Sequence, residues 1–496
     1  MSLATKQNKT NAKESKVSKT NYLAKNIILM GISTFGSKIL IILLVPLYTA
    51  VLSTEEYGSY DIISNTVGLL VPIMTLNVSD GIMRFALDKD SDRGRLIRCG
   101  LFFVLIGTAL VAIVLLLGDT PLSSWFDKYI VYLPAFFFAT ALYTLTTQFC
   151  RGCELIGSVA VAGLVNTLIM LVGNIVFLLV FHWGLDGFFM ANILAQLLPA
   201  LGLLVRGRKY LFAPKSVHAP EHELRTMILY ALPLMTTTLG WWFVSVSGRY
   251  VVAFFCGLAV NGLFAVAYKI PGILNAFQTI FIQAWQISAV KEYDAEDRDG
   301  FFEKTYITSE TLTLIACSFL IILSPLLCRL LLQNEFYDAW VFVPFLLIYA
   351  SFNIESGVWG GVFSAKKDAF AMTFSTIMGA VANVLFCLCL VPFFGAYGAA
   401  FAAMIAGFVI WAIRAKRISR HISSNFRIKR TALLYGLLFF QALLMVVLQN
   451  DITSYIIQLI FVSTILIVLR KELYGVSQLI CNTIKNKLAI IFKMEH

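Results

Sequence analysis

Three basic side chains, Lys38, Arg249 and Lys269, lie within stretches of sequence that are apolar enough to cross a bilayer. A basic residue near the bilayer centre costs roughly 2.5–3.5 kcal/mol on insertion scales, so such residues are seldom kept without a role. Ammonium and guanidinium groups without enough counter-ions favour phosphate or diphosphate in a low-dielectric site. We therefore predict a net positive central cavity that binds an anionic cargo. Alternatively, these side chains snorkel to an interface or pair with a buried carboxylate. Snorkelling fits Lys38 least well, because that residue is the deepest of the three.

Neutral polar residues accompany the basic ones, and their hydrogen-bonding groups are suited to sugars. We predict that these residues line the same cavity: Asn65, Thr75, Thr279, Gln283 and Gln286. Tryptophan rings stack on sugars as well as on each other, so three indoles are further candidates for glycan contact: Trp241, Trp242 and Trp285. Candidates for gating or coupling are Asp61, Arg84 and Glu355. We expect Arg84 to pair with Asp80, four residues before it on the same helix.

The elements that carry these residues are duplicated. Residues 34–83 and 238–287 align without a gap at an offset of 204. Along the second helix of each pair, the polar stripe advances by 4, 3, 4, 3 and 4 residues, as one face of an α-helix does. Its members in the first copy, Asp61, Asn65, Gly68, Pro72, Thr75 and Ser79, fall on Ala265, Lys269, Gly272, Ala276, Thr279 and Gln283. Two matched polar stripes inside apolar segments predict an internal cavity between two halves.

The repeat continues beyond this helical pair. Residues 184–187, Gly-Leu-Asp-Gly, fall on residues 395–398, Gly-Ala-Tyr-Gly, at an offset of 211. Gly58 falls on Gly262, and a glycine there predicts a tight outer turn between two long helices. Each half then contains six helices, so the two halves are parallel repeats about an axis along the membrane normal.

Composition independently indicates an all-α integral membrane protein. The chain is 59% apolar and 14% charged, and about fourteen apolar runs have the roughly 20 residues that a helix needs to span the hydrocarbon core. With the N-terminus in the cytoplasm, all but five of the 39 Lys and Arg residues fall on the cytoplasmic side, as the positive-inside rule requires. The exceptions are Lys128 and Arg329 on the outer side and the three basic residues within spans.

This count predicts the organisation of the chain. A basic cytoplasmic tail (1–25) precedes an N-terminal six-helix bundle (26–205), a cytoplasmic connector (206–225) and a C-terminal six-helix bundle (226–417). A second basic connector (418–430), helices 13 and 14 (431–471) and an amphipathic tail (472–496) follow. The net charge of +11 then reflects topology and attraction to anionic lipids, and it does not argue for nucleic acid as a partner. The sequence predicts no catalytic residue, no cofactor and no metal site.

The chain resembles polysaccharide-type flippases of the multidrug/oligosaccharidyl-lipid/polysaccharide (MOP) exporter superfamily, which have the MATE-like fold. It is similar to the exporters of O-antigen and capsular repeat units, the Wzx type. The resemblance covers residues 22–471, and the segments that carry it are 26–38 (NIILMGISTFGSK), 45–48 (VPLY) and 56–60 (EYGSY). The layout of six, six and two helices carries more of the resemblance than any short string does.

The resemblance implies a flippase that moves an undecaprenyl-diphosphate-linked oligosaccharide from the inner to the outer leaflet of the bacterial cytoplasmic membrane. It implies that Lys38, Arg249 and Lys269 engage the diphosphate and that helices 13 and 14 border a groove for the lipid tail. A polysaccharide polymerase and export proteins are the expected partners. Related lipid II flippases carry several arginines in helices 1 and 2, where this chain has one lysine and Arg84, so a peptidoglycan precursor is disfavoured.

Two alternatives remain at this stage. A cation-coupled multidrug antiporter of the same superfamily calls for carboxylates in helices 1 or 7, where this chain has basic residues. A polytopic glycan polymerase or ligase calls for a large outer loop, and every predicted outer loop here is about ten residues or fewer. Coupling to H+ or Na+ stays open beside the membrane potential and downstream consumption of the product.

Overall fold

The computed structural model describes residues 40, 42–88, 90–117, 127–212, 222–291, 293–294, 296–366, 368–422, 426–448, 452–475 and 478. Within these ranges the regular structure is entirely helical, with no strand. The chain divides into two compact units, Met1–Leu239 and Gly240–His496.

The first unit contains the elements that carry the first copy of the repeat. A 3-10 turn, Asp127–Val131, precedes the fifth α-helix, and a π-helical turn, Ile175–Val180, follows the sixth. In chain order its described α-helices are α1 (Val45–Val51), α2 (Thr54–Met74), α3 (Val78–Ala86), α4 (Arg93–Leu117), α5 (Tyr132–Gly152), α6 (Ile156–Asn174), α7 (Gly184–Arg206) and α8 (Arg208–Leu211). The next helix, α9 (Glu223–Cys256), contains the boundary between the units.

The second unit carries the second copy and the additional C-terminal pair. A 3-10 turn, Asn334–Val341, again precedes the central helix of the unit. Its described α-helices are α10 (Leu258–Ala267), α11 (Lys269–Lys291), α12 (Phe301–Leu331), α13 (Val343–Ala365), α14 (Ala369–Phe394), α15 (Ala396–Ile418), α16 (Ile428–Val447) and α17 (Ile452–Val468).

The number of spans agrees with an all-α membrane protein. Among the described residues, ten helices are long and apolar enough to cross a bilayer, or up to 12 if each of two bent pairs is counted as one span. The shorter apolar helix α17 follows them, and most of the predicted first span (26–52) lies outside the described residues. The predicted fold class is confirmed.

Each unit is organised around one central helix. In the first unit α5 packs against α2, α3, α4 and α7, and in the second unit α13 packs against α11, α12, α15 and α16. The α13 helix is buried along most of its length. A polar residue on such a helix therefore has to find its partners inside the protein.

The second copy of a two-glycine motif repeats the geometry of the first. Gly184 and Gly395 both have a positive φ, of 55° and 57°, where the chain turns into α7 and α15. Three residues later, a Cβ on Gly187 would lie 2.8 Å from the Cβ of Phe177, and one on Gly398 would lie 2.6 Å from the backbone of Leu390. The first glycine thus permits the turn and the second permits close packing on the preceding helix.

The predicted outer turns at Gly58 and Gly262 are wrong, because both residues lie inside helices, α2 and α10. The α2 helix begins earlier, at a capping box in which the Ser53 hydroxyl accepts from the Glu56 amide (3.1 Å) and the Glu56 carboxylate accepts from the Ser53 amide (2.9 Å). The matching start of α10 is Gly257, at a φ of 87°.

Candidate functional site

The predicted second helix (60–83) is in fact two helices, α2 and α3, bent by 59°. The break is a Schellman motif: the Asn77 amide donates to the Pro72 carbonyl (2.8 Å) and the Leu76 amide donates to the Ile73 carbonyl (3.2 Å). Leu76 occupies the left-handed position, with a φ of 51°, where glycine is usual. A sequence without glycine at this position gave no signal of the break.

The polar stripe of α2 is largely hydrogen-bonded to its own helix. The Asn65 amide group donates to the Asp61 carbonyl (2.7 Å), and the Thr75 hydroxyl donates to the Val71 carbonyl (2.7 Å) at the start of the break. Asn65 is half-buried, whereas Asp61 and Thr75 are 6% and 2% exposed. Asn65 is therefore the better placed of the predicted sugar contacts on this helix.

The predicted Asp80–Arg84 pair does not form. The Asp80 carboxylate accepts instead from the side-chain amides of Gln148 on α5 (2.6 Å) and Asn77 (3.0 Å). Arg84 forms an ion pair with Asp88 (2.8 Å), and both of these side chains are about half exposed. The spacing of four residues was right for Arg84, but the partner lies on its C-terminal side. An exposed pair of this kind contributes little to stability.

Two of the three predicted intramembrane cations lie beside the interruption between α10 and α11 in the second unit. Tyr268 is the single residue between α10 and α11, and Lys269 opens α11. The Arg249 guanidinium on α9 lies over the Tyr268 ring, 4.8 Å from its centroid. Arg249 and Lys269 are both half-buried. A cation held against an aromatic face keeps its planar N–H fork in a fixed orientation, which suits phosphate recognition. The third cation, Lys38, lies outside the described residues.

The remaining polar candidates on α11 differ in their accessibility. The Thr279 hydroxyl donates to the Asn275 carbonyl (2.8 Å) and is half-buried, and Gln286 is exposed. The side chain of Gln283 lies outside the described part of the chain. Trp285 is 4% exposed and donates its indole N–H to the Val358 carbonyl (2.7 Å). The ring is therefore packed inside the unit and is not available to a glycan.

The third coupling candidate, Glu355 on α13, lies in a cage of hydrogen-bond donors. The Tyr435 hydroxyl donates to one carboxylate oxygen (2.7 Å), and the Trp411 indole (2.9 Å) and the Tyr306 hydroxyl (3.1 Å) donate to the other. The side chain is fully buried. All three donors are uncharged, and among the described residues no basic side chain forms an ion pair with Glu355. A carboxylate in such a place can exchange a proton or a monovalent cation without losing its structural partners.

A second buried carboxylate, Glu310 on α12, is paired with one basic residue. It accepts from the Thr431 hydroxyl and from Arg430 (2.7 Å), both on α16. Arg430 also forms an ion pair with Glu472, which lies 2.8 Å from Arg427. The structure places Glu310 at 0% exposure.

Sequence reasoning missed one buried cation, Arg414. The apolar run 397–413 predicts a span that ends one residue before Arg414 and so places this residue on the cytoplasmic side, whereas α15 continues to Ile418. Arg414 is 3% exposed and donates to the Ser356 carbonyl (2.7 Å) and the Ser375 hydroxyl (2.9 Å). Arg414 lies four residues after Ile410, and residues four apart share a helix face. This spacing was the signal in the sequence that could have indicated its burial.

Comparisons with known proteins agree with this architecture. The family described as "Polysaccharide biosynthesis protein" matches residues 23–286. No curated protein sequence matches the chain. Among solved structures, the lipid II flippase MurJ in an inward closed conformation is similar over 90% of this chain and 99% of its own, at 14% identity and a TM-score of 0.67.

Two further solved structures show the same fold. An inward-facing multidrug resistance MATE family transporter of the MOP superfamily is similar over 79% of this chain and 95% of its own (15% identity, TM-score 0.59). A MOP superfamily transporter from Pyrococcus furiosus, described as having a binding pocket of reversed polarity, is similar over 80% of this chain and 96% of its own (15% identity, TM-score 0.55). At these identities the likeness shows the fold, a multi-pass membrane transporter fold.

Proposed function

Because the chain belongs to the polysaccharide biosynthesis protein family, we propose that it flips a polyprenyl-diphosphate-linked oligosaccharide from the inner to the outer leaflet by alternating access. The observation that supports this most is that both described cations adjoin Tyr268: the Arg249 guanidinium lies over its ring, and Lys269 is the next residue in the chain. One diphosphate carries enough charge to engage both, and a guanidinium binds phosphate in a bidentate manner.

In this proposal Lys38, Arg249 and Lys269 bind the diphosphate, and polar residues such as Asn65 and Gln286 contact the sugars. The polyprenyl tail remains in the bilayer, where its transfer into a polar cavity would be costly. The membrane is the bacterial cytoplasmic membrane, with both termini in the cytoplasm, as the distribution of basic residues indicates. The partners are then the lipid-linked glycan, the surrounding lipids, and polysaccharide polymerase and export proteins.

The cation role is tested with purified protein in vesicles that contain a lipid-linked oligosaccharide in the inner leaflet. Arg249→Ala and Lys269→Ala should each slow the transfer by about tenfold to a hundredfold, because each removes a charge-assisted contact of roughly 1.5–3 kcal/mol. Arg298→Ala is the matched control, since its pair with Glu296 is exposed, and it should retain the wild-type rate. Wild-type transfer by a folded Arg249→Ala/Lys269→Ala double variant would refute the assignment.

A second candidate function is cation-coupled multidrug antiport, and Glu355 is the observation that favours it. Its carboxylate is fully buried and held by three neutral donors, an arrangement suited to reversible cation binding. In a flippase, the same carboxylate serves as the coupling site for H+ or Na+.

Glu355→Gln separates the two functions, because the amide keeps the shape of the side chain but cannot exchange a proton or a cation. Vesicles with an imposed pH or Na+ gradient are assayed for oligosaccharide transfer and for efflux of a cationic dye. For a coupled flippase, oligosaccharide transfer should fall by roughly 5- to 150-fold, with no dye efflux in either protein. Gradient-dependent dye efflux by the wild type that Glu355→Gln abolishes, without oligosaccharide transfer, would establish the antiporter.

A further inference from the structure

A groove on the first unit, between α6 and α7, has the polarity of a phospholipid. Its cavity of about 400 Å³ lies within the range of small-molecule sites, roughly 300–1,000 Å³. One end is polar, with Arg206 at the last turn of α7 and Ser158 at the first turn of α6. The rest of its wall is apolar, formed by side chains that include Val161, Val165 and Leu198.

The groove is open because its walls lack side chains at two positions. Gly157 and Gly202 both line it, and a Cβ built on either one would meet nothing within 4 Å. The space beside each glycine is therefore unoccupied by protein, and a larger side chain there would fill it without a clash.

A proline in α7 adds to the concavity, and the fold compensates for it. Pro199 lines the groove and has no N–H to donate to the carbonyl of Ala195. The side-chain amide of Asn166 on α6 donates to that carbonyl instead (2.6 Å). A buried carbonyl left unbonded in a membrane would cost several kcal/mol. The hydrogen bond from Asn166 thus compensates for the proline and stabilises this packing of α6 on α7.

The groove faces the bilayer and has the length of one leaflet. Val161 and Leu198 are 59% and 47% exposed on helices that are long and apolar enough to span the membrane. From Gly157 to Val165 the rise of α6 is about 12 Å at 1.5 Å per residue. One leaflet of hydrocarbon is about 15 Å thick.

The basic end differs from its repeat counterpart in the second unit. Arg417, at an offset of 211 from Arg206, lies over the rings of Phe370 and Phe374 at 4.9 and 5.2 Å. Arg206 is exposed, and the structure gives it no ring contact, ion pair or hydrogen bond with another described residue. Two further basic residues, Arg208 and Lys209, lie on α8 after the intervening Gly207 and are exposed. Basic pockets between transmembrane helices at the cytoplasmic side are typical binding sites for anionic lipid headgroups.

We propose that this groove is a binding site for an anionic glycerophospholipid of the inner leaflet. One acyl chain lies between α6 and α7 over the two glycines, and the headgroup phosphate is bound by Arg206. The groove is lined by residues of α6 and α7 and shares none with the proposed diphosphate contacts, Lys38, Arg249 and Lys269. The proposal therefore stands whether or not the cargo is a lipid-linked glycan.

Native mass spectrometry of the purified full chain tests the site with equimolar phosphatidylglycerol and phosphatidylcholine. The wild type should retain one phosphatidylglycerol in preference to phosphatidylcholine. Gly202→Leu, which fills the groove, and Arg206→Gln, which removes the charge, should each weaken that retention by roughly tenfold or more. Gly157→Leu provides the same test as Gly202→Leu if the latter does not give monodisperse protein.

The matched controls lie on the second unit. Gly436→Leu on α16 also places a leucine where a Cβ would meet nothing within 4 Å, and Arg417→Gln removes the counterpart of Arg206. Both controls should retain the lipid as the wild type does. Equal loss in the controls, or no preference for the anionic lipid, would overturn the site. A long-chain polyprenyl phosphate that displaces phosphatidylglycerol from the wild type at equal concentration, but not from Gly202→Leu, would overturn the phospholipid as occupant.

Discussion

The two copies of the repeat place different residues at the same buried positions. Glu355 on α13 corresponds to Leu145 on α5 at an offset of 210, and Arg414 on α15 corresponds to Leu203 on α7 at an offset of 211. The leucines are 0% and 4% exposed, and the charged residues are 0% and 3% exposed. The duplicated scaffold therefore packs well with either kind of side chain. Since desolvating charges is costly, the polar residues of the second unit serve something other than packing.

The difference coincides with the helices that only the second copy has. Tyr435 on α16 donates to Glu355, and Gln441 on α16 accepts from the Ser318 hydroxyl on α12 (2.8 Å). In the next helix, the Gln458 amide donates to the Gln441 carbonyl (3.0 Å). Much of the buried polar surface of the second unit is thus used to attach the C-terminal pair. Hydrogen bonds specify one register for helices in lipid, where apolar contacts alone discriminate weakly.

Breaking this attachment should have the largest effect on stability. Arg430→Met leaves the Glu310 carboxylate buried with only Thr431 as a described partner. Removing one member of a buried ion pair costs about 3–5 kcal/mol, and thermal unfolding in detergent measures this loss. Glu310→Leu/Arg430→Met replaces the buried ion pair with an apolar contact and should recover most of the stability. An Arg430→Met variant with wild-type stability would show that the pair does not hold α16 in place.

A smaller effect is expected from adding one methyl group to each copy of the two-glycine motif. Gly398→Ala would place its Cβ against the backbone of Leu390, whereas Gly187→Ala would meet the Phe177 side chain first. Overpacking of this kind costs about 1–3 kcal/mol. A Cβ on Gly398 would meet three backbone atoms at 2.6–2.8 Å, whereas one on Gly187 would meet a single atom at 2.8 Å and the next at 3.1 Å, so Gly398→Ala should lower the unfolding temperature more than Gly187→Ala does. A larger fall in unfolding temperature for Gly187→Ala would contradict this comparison of the two copies.

The sequence was sufficient for the features that depend on periodicity. Span-length apolar runs predicted the helical membrane fold, and constant offsets predicted glycine pairs that have the same geometry in both units. Local breaks could not be predicted in this way. The Schellman motif at Leu76 has no glycine, and Arg414 was misplaced because a helix boundary was one turn short. The partners of Glu355 come from three other helices, so only the tertiary structure reveals its cage.

The smallest effect is expected at the N-termini of two matching helices, α6 and α14. The N-cap of α6 is Leu155, which has no side-chain hydrogen bond, whereas Asp368 caps α14 by accepting from the Ala371 amide (2.9 Å). This hydrogen bond, together with one between Asp368 and His421, lowers the pKa of the Asp368 carboxyl. An acid with a lowered folded-state pKa stabilises fully above its ordinary pKa, and the contribution is lost as the pH falls through the lowered value.

Asp368→Asn should therefore change stability by less than about 1 kcal/mol at neutral pH, because asparagine is also a good N-cap. Its effect should lie in the pH dependence. Between pH 5 and pH 3, on either side of the ordinary aspartate pKa of about 3.9, the unfolding temperature of the wild type should fall more steeply than that of Asp368→Asn. A Leu155→Asp variant should add a smaller acid-sensitive increment to α6, since the first turn of that helix has no side-chain cap and position 155 has no counterpart of the Asp368–His421 hydrogen bond. Parallel pH profiles for all three proteins would mean that the charge of the capping carboxylate contributes nothing to stability at these helix starts.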